Sequence, residues 1–201
     1  ASIAQLQAAM ASRQMSAVEL TTFYLNRIQA IDERGPHLNS VIETNPDALC
    51  IAEQLDAERR AGHERGPLHG IPVLIKDNID TADRMHTSAG ALVLSHSIAP
   101  RDASIVEKLR AAGAILLGKT NVPQLMIWHE SDNPVYGRTN NPWNLSRTCG
   151  GSTGGEAAIV AAQVRAVALR YGVYRSRIFV AGMSAGGALA AALGVRYPEL
   201  F

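Results

Sequence analysis

Residues Cys149 to Val160 read C-G-G-S-T-G-G-E-A-A-I-V. Gly150, Gly151, Gly154 and Gly155 bracket Ser152 and Thr153, and they permit turns and close backbone approaches that a Cβ would forbid. The small-residue run from Glu156 to Ala162 has a helical pattern, so Ser152 and Thr153 are placed on a tight loop that opens a helix. Such an N-terminus presents free N–H groups and a partial positive charge, which favour anions and developing oxyanions. A glycine-rich turn with a Ser/Thr cap would explain an isolated loop of this kind. A second unusual position upstream, Lys76, gives it company.

Among the 19 basic residues only Lys76, Lys108 and Lys119 are lysines. Lys76 follows Gly70 to Ile75 (G-I-P-V-L-I), an apolar and β-branched run that reads as a buried strand. A buried lysine can give up its proton, whereas an arginine in effect cannot. A lysine at the end of an apolar strand is therefore a candidate base, or else a side chain snorkelling from a strand end beside Asp77. Asp77 is expected to oppose a lowered lysine pKa.

The first third of the chain reads as helices that pack. Ser2 to Arg13 places Ile3, Leu6 and Met10 on one face. Ser16 with Glu19 forms a capping-box pattern ahead of Leu20, Phe23, Tyr24, Ile28 and Ile31. Gly35-Pro36 ends that helix, and Leu38 to Glu43 suits a short strand. Asn45-Pro46 starts a third helix, which Gly62 stops. Cys50 falls in its pattern and is assigned to the core. Downstream of Lys76, Thr87 to Gly90 is a small-residue loop. Asp102 is expected to cap a helix to Ala112 with Ile105, Val106 and Leu109 inward, and Ala114 to Leu117 is a second buried strand. Strand, helix, strand in this order predicts an α/β domain with a mixed sheet flanked by helices. Ser131 to Leu145, with two Asn-Pro steps, reads as a surface loop. Trp143 is expected to anchor that loop, and Asn121 and Asp77 to hydrogen-bond the loops of the site.

From about Val164 the character changes. Arg177 to Ala181 reads as a strand, Gly182-Met183-Ser184-Ala185-Gly186 follows, and a small-residue helix continues to Tyr197. Strand, G-x-S-x-G, helix is the context of a nucleophile elbow.

The stretches G-P-L-H-G-I-P-V-L-I-K-D-N (Gly66 to Asn78), T-S-A-G (Thr87 to Gly90), D-A-S-I-V-E-K-L-R-A-A-G-A-I-L-L-G-K-T-N (Asp102 to Asn121) and N-P-W-N-L-S-R-T-C-G-G-S-T-G-G (Asn141 to Gly155) resemble the amidase-signature hydrolases. The likeness covers residues 2–162, and within the family it is nearest to peptide amidases. It implies an α/β fold and carboxamide hydrolysis by a Ser-Ser-Lys triad, without metal or organic cofactor. Lys76 would be the base. Ser152 would be the bridging serine, preceded by a cis peptide, that relays the proton. Gly150, Gly151 and Thr153 would lie on the substrate side of the loop. The family's acyl-forming serine belongs to a G-S-D-T-G-G-S-I-R type of loop that this sequence lacks. Ser176, 24 residues after Ser152, stands instead in Y-G-V-Y-R-S-R-I-F. Residues 164–201 resemble the elbow of α/β-hydrolase esterases, with Ser184 as nucleophile; no histidine follows Ser184 in the chain.

The sequence is therefore read as an amidase-signature-like part, 1–162, and an elbow-like segment, 163–201, so that a truncated amidase fold and a composite chain are expected. Three readings stay open: an amide hydrolase using Lys76, Ser152 and either Ser176 or Ser184; a serine carboxylesterase using Ser184 with His69, His86 or His129; and a folded chimera or fragment without activity. The expected ligand is a small amide or ester. A net charge of +1 points to neither nucleic acid nor a membrane surface, and no apolar run is long enough to span a bilayer. No leader pattern is visible, so a cytoplasmic location is expected. The six histidines and two cysteines lack metal-ligand spacing, and the histidines are assigned to surface and loops. An incomplete sheet would leave edges open to pairing with a second copy.

Overall fold

The computed structural model describes residues 1–160. The elbow-like segment, Ser176 and Ser184 lie outside the described residues.

Two N-terminal helices begin at serine caps. α1 (Ile3–Ala11) opens at Ser2, whose side chain accepts from the Gln5 N–H while the Gln5 side chain accepts from the Ser2 N–H. α2 (Ala17–Arg27) opens in the same way at Ser16 with Glu19, as the capping-box pattern predicts, and continues into a π-helical turn over Ile28–Glu33. Each box satisfies donors that a helix start leaves bare. β1 (Val41–Thr44) follows, then α3 (Ala48–Arg60). On α3, Asp56 accepts the Ala17 and Val18 N–H groups at 2.8 and 3.1 Å, so one helix caps the start of another. α3 ends before Gly62, whose φ of 77° suits the left-handed exit that glycine allows.

β2 (Pro72–Lys76), α4 (Ser104–Ala111) and β3 (Ile115–Thr120) form the predicted strand-helix-strand unit. The sheet order is β1-β3-β2; β3 runs parallel to β2 and antiparallel to β1, which makes the sheet mixed. β3 is central and buried along its whole length, whereas β2 is mostly half-buried at an edge of the described sheet. Gly70 to Ile75 is thus less enclosed than its apolar composition predicts.

The sheet separates two cores. On one face Met10, Leu20, Leu55, Ile71, Ile115 and Leu117 pack with the first three helices. On the other, Ile75, Met85, Val106 and Leu116 pack with α4 and the 77–103 loops. Each wholly buried Ile or Leu side chain contributes roughly 1.5–3 kcal/mol of transfer free energy. Both faces being covered explains why the strands read as nearly continuous apolar runs.

Several expectations are corrected. Asp102 does not cap α4; its carboxylate accepts from the Ala82 N–H and the Arg110 Nε, and the N-cap is Ala103. On α4 Val106 is buried and Leu109 packs partly buried against the same core, whereas Ile105, also expected inward, is 52% exposed on the outer side of the turn. Cys50 is exposed on α3, and Phe23 lies outward beneath Arg27. His69 is not a surface residue: it is buried, with Nδ1 accepting from the Arg65 N–H and Nε2 bonded to the Leu55 carbonyl at 2.9 Å. Residues 131–145 are not simply a surface loop. Ser131 and Thr139 are wholly buried, and the chain closes into a hairpin of β4 (Asn140–Asn141) and β5 (Asn144–Thr148). Polar side chains enter the interior there because each finds partners; the Asn133 amide, for example, donates to Asn121 Oδ1 and the Val122 carbonyl, both at 2.7 Å.

Candidate active site

The parity of β2 decides what Lys76 can reach. Side chains alternate along a strand, so Pro72, Leu74 and Lys76 share one face while Val73, Ile75 and Asp77 share the other. Beyond Lys76 lies the glycine loop. Gly150 takes a φ of 84°, and Gly155 approaches the sheet so closely that a Cβ would meet the Asn121 nitrogen and the Ser40 oxygen at 2.7 Å. Helix follows over residues 154–160, with the Ala157 N–H donating to the Thr153 carbonyl at 3.1 Å. The peptide bond between Gly151 and Ser152 is cis.

This arrangement brings Lys76 Nζ to 3.1 Å from Ser152 Oγ and 3.3 Å from Thr153 Oγ1. Both partners are neutral hydroxyls. Burial pushes the Lys76 pKa down, and the negative charge of Glu156 pushes it partly back. Asp77 plays no part in that opposition. It lies on the far face, wholly buried, accepting from Ser88 Oγ at 2.6 Å and from the Ser88 and Gly90 N–H groups. The residue beside Lys76 in sequence is thus separated from it by the sheet, a consequence of the two-residue strand period.

The loop is held from behind by the segment expected to be solvent-facing. The Ser131 N–H donates to the Gly150 carbonyl at 2.9 Å, and the Gly154 N–H donates to Ser131 Oγ at 3.0 Å. Asn121 fulfils its expected part: its amide donates to the Asn39 and Gly137 carbonyls, and its own carbonyl accepts the Gly155 N–H at 3.3 Å. Cys149 is buried beneath the loop and its thiol is pushed up to about 12 by desolvation, so it is no nucleophile at neutral pH.

Three residues escape a reading of the sequence, two at the site and one behind the sheet. Ser131 is hidden in a turn-rich stretch. Lys119 stands out there only as one of three lysines, yet it is fully buried. Glu156 sits inside a run of small residues, although it is the one charged side chain between Arg147 and Arg165. That isolation is the available signal.

Chemically, the cluster can move a proton. An uncharged Lys76 amine would accept from the Ser152 hydroxyl across the same 3.1 Å contact, which lies within the reach required of a general base. No group of three or more histidine, cysteine or acidic side chains among the described residues could hold a metal ion, and no described helix is long and apolar enough to cross a membrane.

The family model for Amidase matches residues 19–169. One component of the glutamyl-tRNA(Gln) amidotransferase of Methylobacillus flagellatus is 42% identical over 167 residues, 83% of this chain and 33% of that protein. The peptide amidase of Stenotrophomonas maltophilia superposes with a TM-score of 0.75 at 46% identity, over 80% of this chain and 34% of the amidase. An amidase family protein of Bacillus anthracis superposes with a TM-score of 0.75 at 40% identity, over 81% of this chain and 33% of that one. The chain spans about a third of the length of the curated relatives it matches.

Proposed function

Because the chain belongs to the amidase family, the amidase-signature hydrolases, we propose that Lys76 and Ser152 are the base and the proton relay of a site that hydrolyses carboxamide C–N bonds. The observation that carries this reading is the 3.1 Å contact between Lys76 Nζ and Ser152 Oγ, made by a lysine whose pKa burial has lowered. A serine hydroxyl is a weak nucleophile until a base takes its proton. Lys76 takes the Ser152 proton, Ser152 takes that of the acyl-forming serine, and the proton returns by the same route to the departing amine. Thr153, the second hydroxyl on Nζ, keeps the lysine directed at the loop; Gly150, where a Cβ would meet nothing within 4 Å, leaves room for a substrate carbonyl, while Gly151 lets the loop pack on the His129–Glu130 backbone. A carboxamide fits this chemistry, in keeping with the amidase in the name of the Stenotrophomonas protein.

The acyl-forming serine is Ser176 or Ser184 in the sequence reading, and both lie outside the described residues. The esterase alternative gains nothing from His69, since both of its ring nitrogens are committed to backbone partners in the core.

The test is ammonia release from small aliphatic and aryl carboxamides by the full chain. Lys76→Ala is expected to lower turnover about a thousandfold, within the range for loss of a positioned base, and Ser152→Ala by a similar factor. Turnover unchanged in Lys76→Ala would sink the assignment. A serine-reactive fluorophosphonate with peptide mapping then identifies the acyl-forming residue.

A further inference from the structure

Lys76 and Thr120 are register partners on the parallel strands β2 and β3. Adjacent strands lie about 4.8 Å apart, so the two side chains are neighbours on one face of the sheet. Thr120 Oγ1 is bonded to Glu156 Oε1 at 2.6 Å. The glutamate is therefore anchored one strand away from the lysine, on the helix that starts directly after Ser152 and Thr153.

The rest of the carboxylate is unusual. Glu156 Oε2 is buried without a hydrogen-bond partner among the described residues. Thr153-Gly154-Gly155-Glu156 has the spacing of a capping box, in which the glutamate would turn back to the Thr153 N–H. It does not do so; it turns to the sheet and Thr120. A helix-start role leaves this orientation unexplained. The lysine, for its part, makes no ion pair among the described residues, and an ammonium has a third N–H beyond the two given to Ser152 and Thr153.

We propose that Glu156, tethered by Thr120, is the counter-charge of Lys76 and sets the pH range over which that lysine can serve as a base. This deepens the reading of Lys76 as the base of the site. Glu156 acts through another residue and is a positioning residue, not a catalytic one. Among the described residues, the other groups near Lys76 do not compete for the role. Ser152 and Thr153 on the loop and Thr120 on β3 are neutral, while Asp77 and Lys119 lie on the opposite face of the sheet with Thr87 and Ser88. Desolvation alone would leave the amine neutral at lower pH; the nearby carboxylate opposes it.

With only three lysines in the chain, the proposal can be tested without substrate. The full chain, labelled with [6-13C]-lysine, is titrated by NMR, and signals are assigned with Lys76→Met and Lys108→Arg. Glu156→Gln keeps a group that can bond Thr120 but removes the charge. It is expected to lower the Lys76 midpoint by about one pH unit, the lower end of what an opposite charge at close range produces, with Lys108 and Lys119 unmoved. Glu156→Asp, which restores the charge, is expected to bring the midpoint back toward the wild-type value. Glu156→Ala carries the same expectation as Glu156→Gln where the amide is not accommodated. A Lys76 midpoint unchanged in a folded, uncharged variant overturns the proposal, as does an equal shift of all three lysines, which would report a general change of structure. Because no turnover is read, failure of the amidase reading would be seen separately: the midpoint would move while no ammonia is released.

Discussion

Lys76 and Lys119 stand on adjacent strands, one residue out of register with each other, and they serve opposite ends. Lys119 points to the α4 face. It is wholly buried and gives its ammonium to the Ile79 carbonyl at 2.7 Å and to Thr87 Oγ1 at 3.0 Å. Burial lowers its pKa and Asp77 is first among the carboxylates that oppose this. Lys76 points to the helix face, is only partly buried, and meets the hydroxyls of a loop. Each residue is a desolvated lysine with a carboxylate in its field. One ties down the 77–90 segment, including the Asp77 and Ser88 network; the other is left with neutral partners that can exchange protons with it. Burial alone thus does not make a lysine a candidate base; where its hydroxyl partners stand matters as well.

The two lysines differ most in what their exchange for methionine, one at a time, does to stability. Lys119→Met leaves the Ile79 carbonyl and Thr87 hydroxyl without their donor and removes the cation facing buried Asp77. It is expected to destabilise the fold by about 3 kcal/mol in urea denaturation. Lys76→Met removes a partly desolvated charge that has no ion pair among the described residues. It also leaves the Glu156 carboxylate without its counter-charge, so the two effects oppose each other and the net change is expected to be smaller than for Lys119→Met, about 1 kcal/mol. Equal losses would mean that both lysines are structural.

A smaller effect separates them by pH. A lysine held below its ordinary pKa binds fewer protons in the folded chain than in the unfolded one, between its folded value and about 10.4. Stability therefore rises with pH through that window. At neutral pH the charged Lys76 penalises the fold, and the penalty fades as the pH climbs towards the unfolded value. The stability difference between wild type and Lys76→Met is expected to move in favour of wild type from pH 7 to pH 10. A flat difference would place Lys76 at its ordinary pKa and remove its claim to be a base.

How much of this is legible in the sequence depends on the kind of signal. The caps at Ser16 and Gly62 are local, and so can be read directly. The α/β class follows from two apolar runs around one amphipathic helix. Lys76 and Ser152 emerge because each stands in an improbable setting, and the sequence resemblance ties them together. What fails is what depends on parity or on partners distant in sequence. Asp77 reads as the neighbour of Lys76, although alternation along the strand sends it through the sheet. Ser131, Asn133 and Thr139 look solvent-facing because polar side chains in a turn-rich stretch give no hint that the glycine loop, Asn121 and the Asn39 carbonyl will satisfy them. Glu156 is legible only as a charge in an apolar stretch; its partner, Thr120, lies 36 positions away.

The finest test compares the two threonines. Thr87 accepts from Lys119 at 3.0 Å, and Thr153 accepts from Lys76 at 3.3 Å. Valine replaces either with little change of shape but without the acceptor. Thr87→Val leaves a wholly buried ammonium with one partner fewer, so its cost is expected in stability, about 1–2 kcal/mol by denaturation. Thr153→Val leaves Lys76 with Ser152 and with access to solvent, so stability should change little. Its effect belongs to the reaction, where a lost hydrogen bond of about 1 kcal/mol corresponds to about a fivefold fall in amide turnover. Thr153→Ser should restore that turnover. If Thr153→Val instead destabilised the fold as much as Thr87→Val does, the Lys76 cluster would be a second structural tie, and the division between the two faces of the sheet would fail.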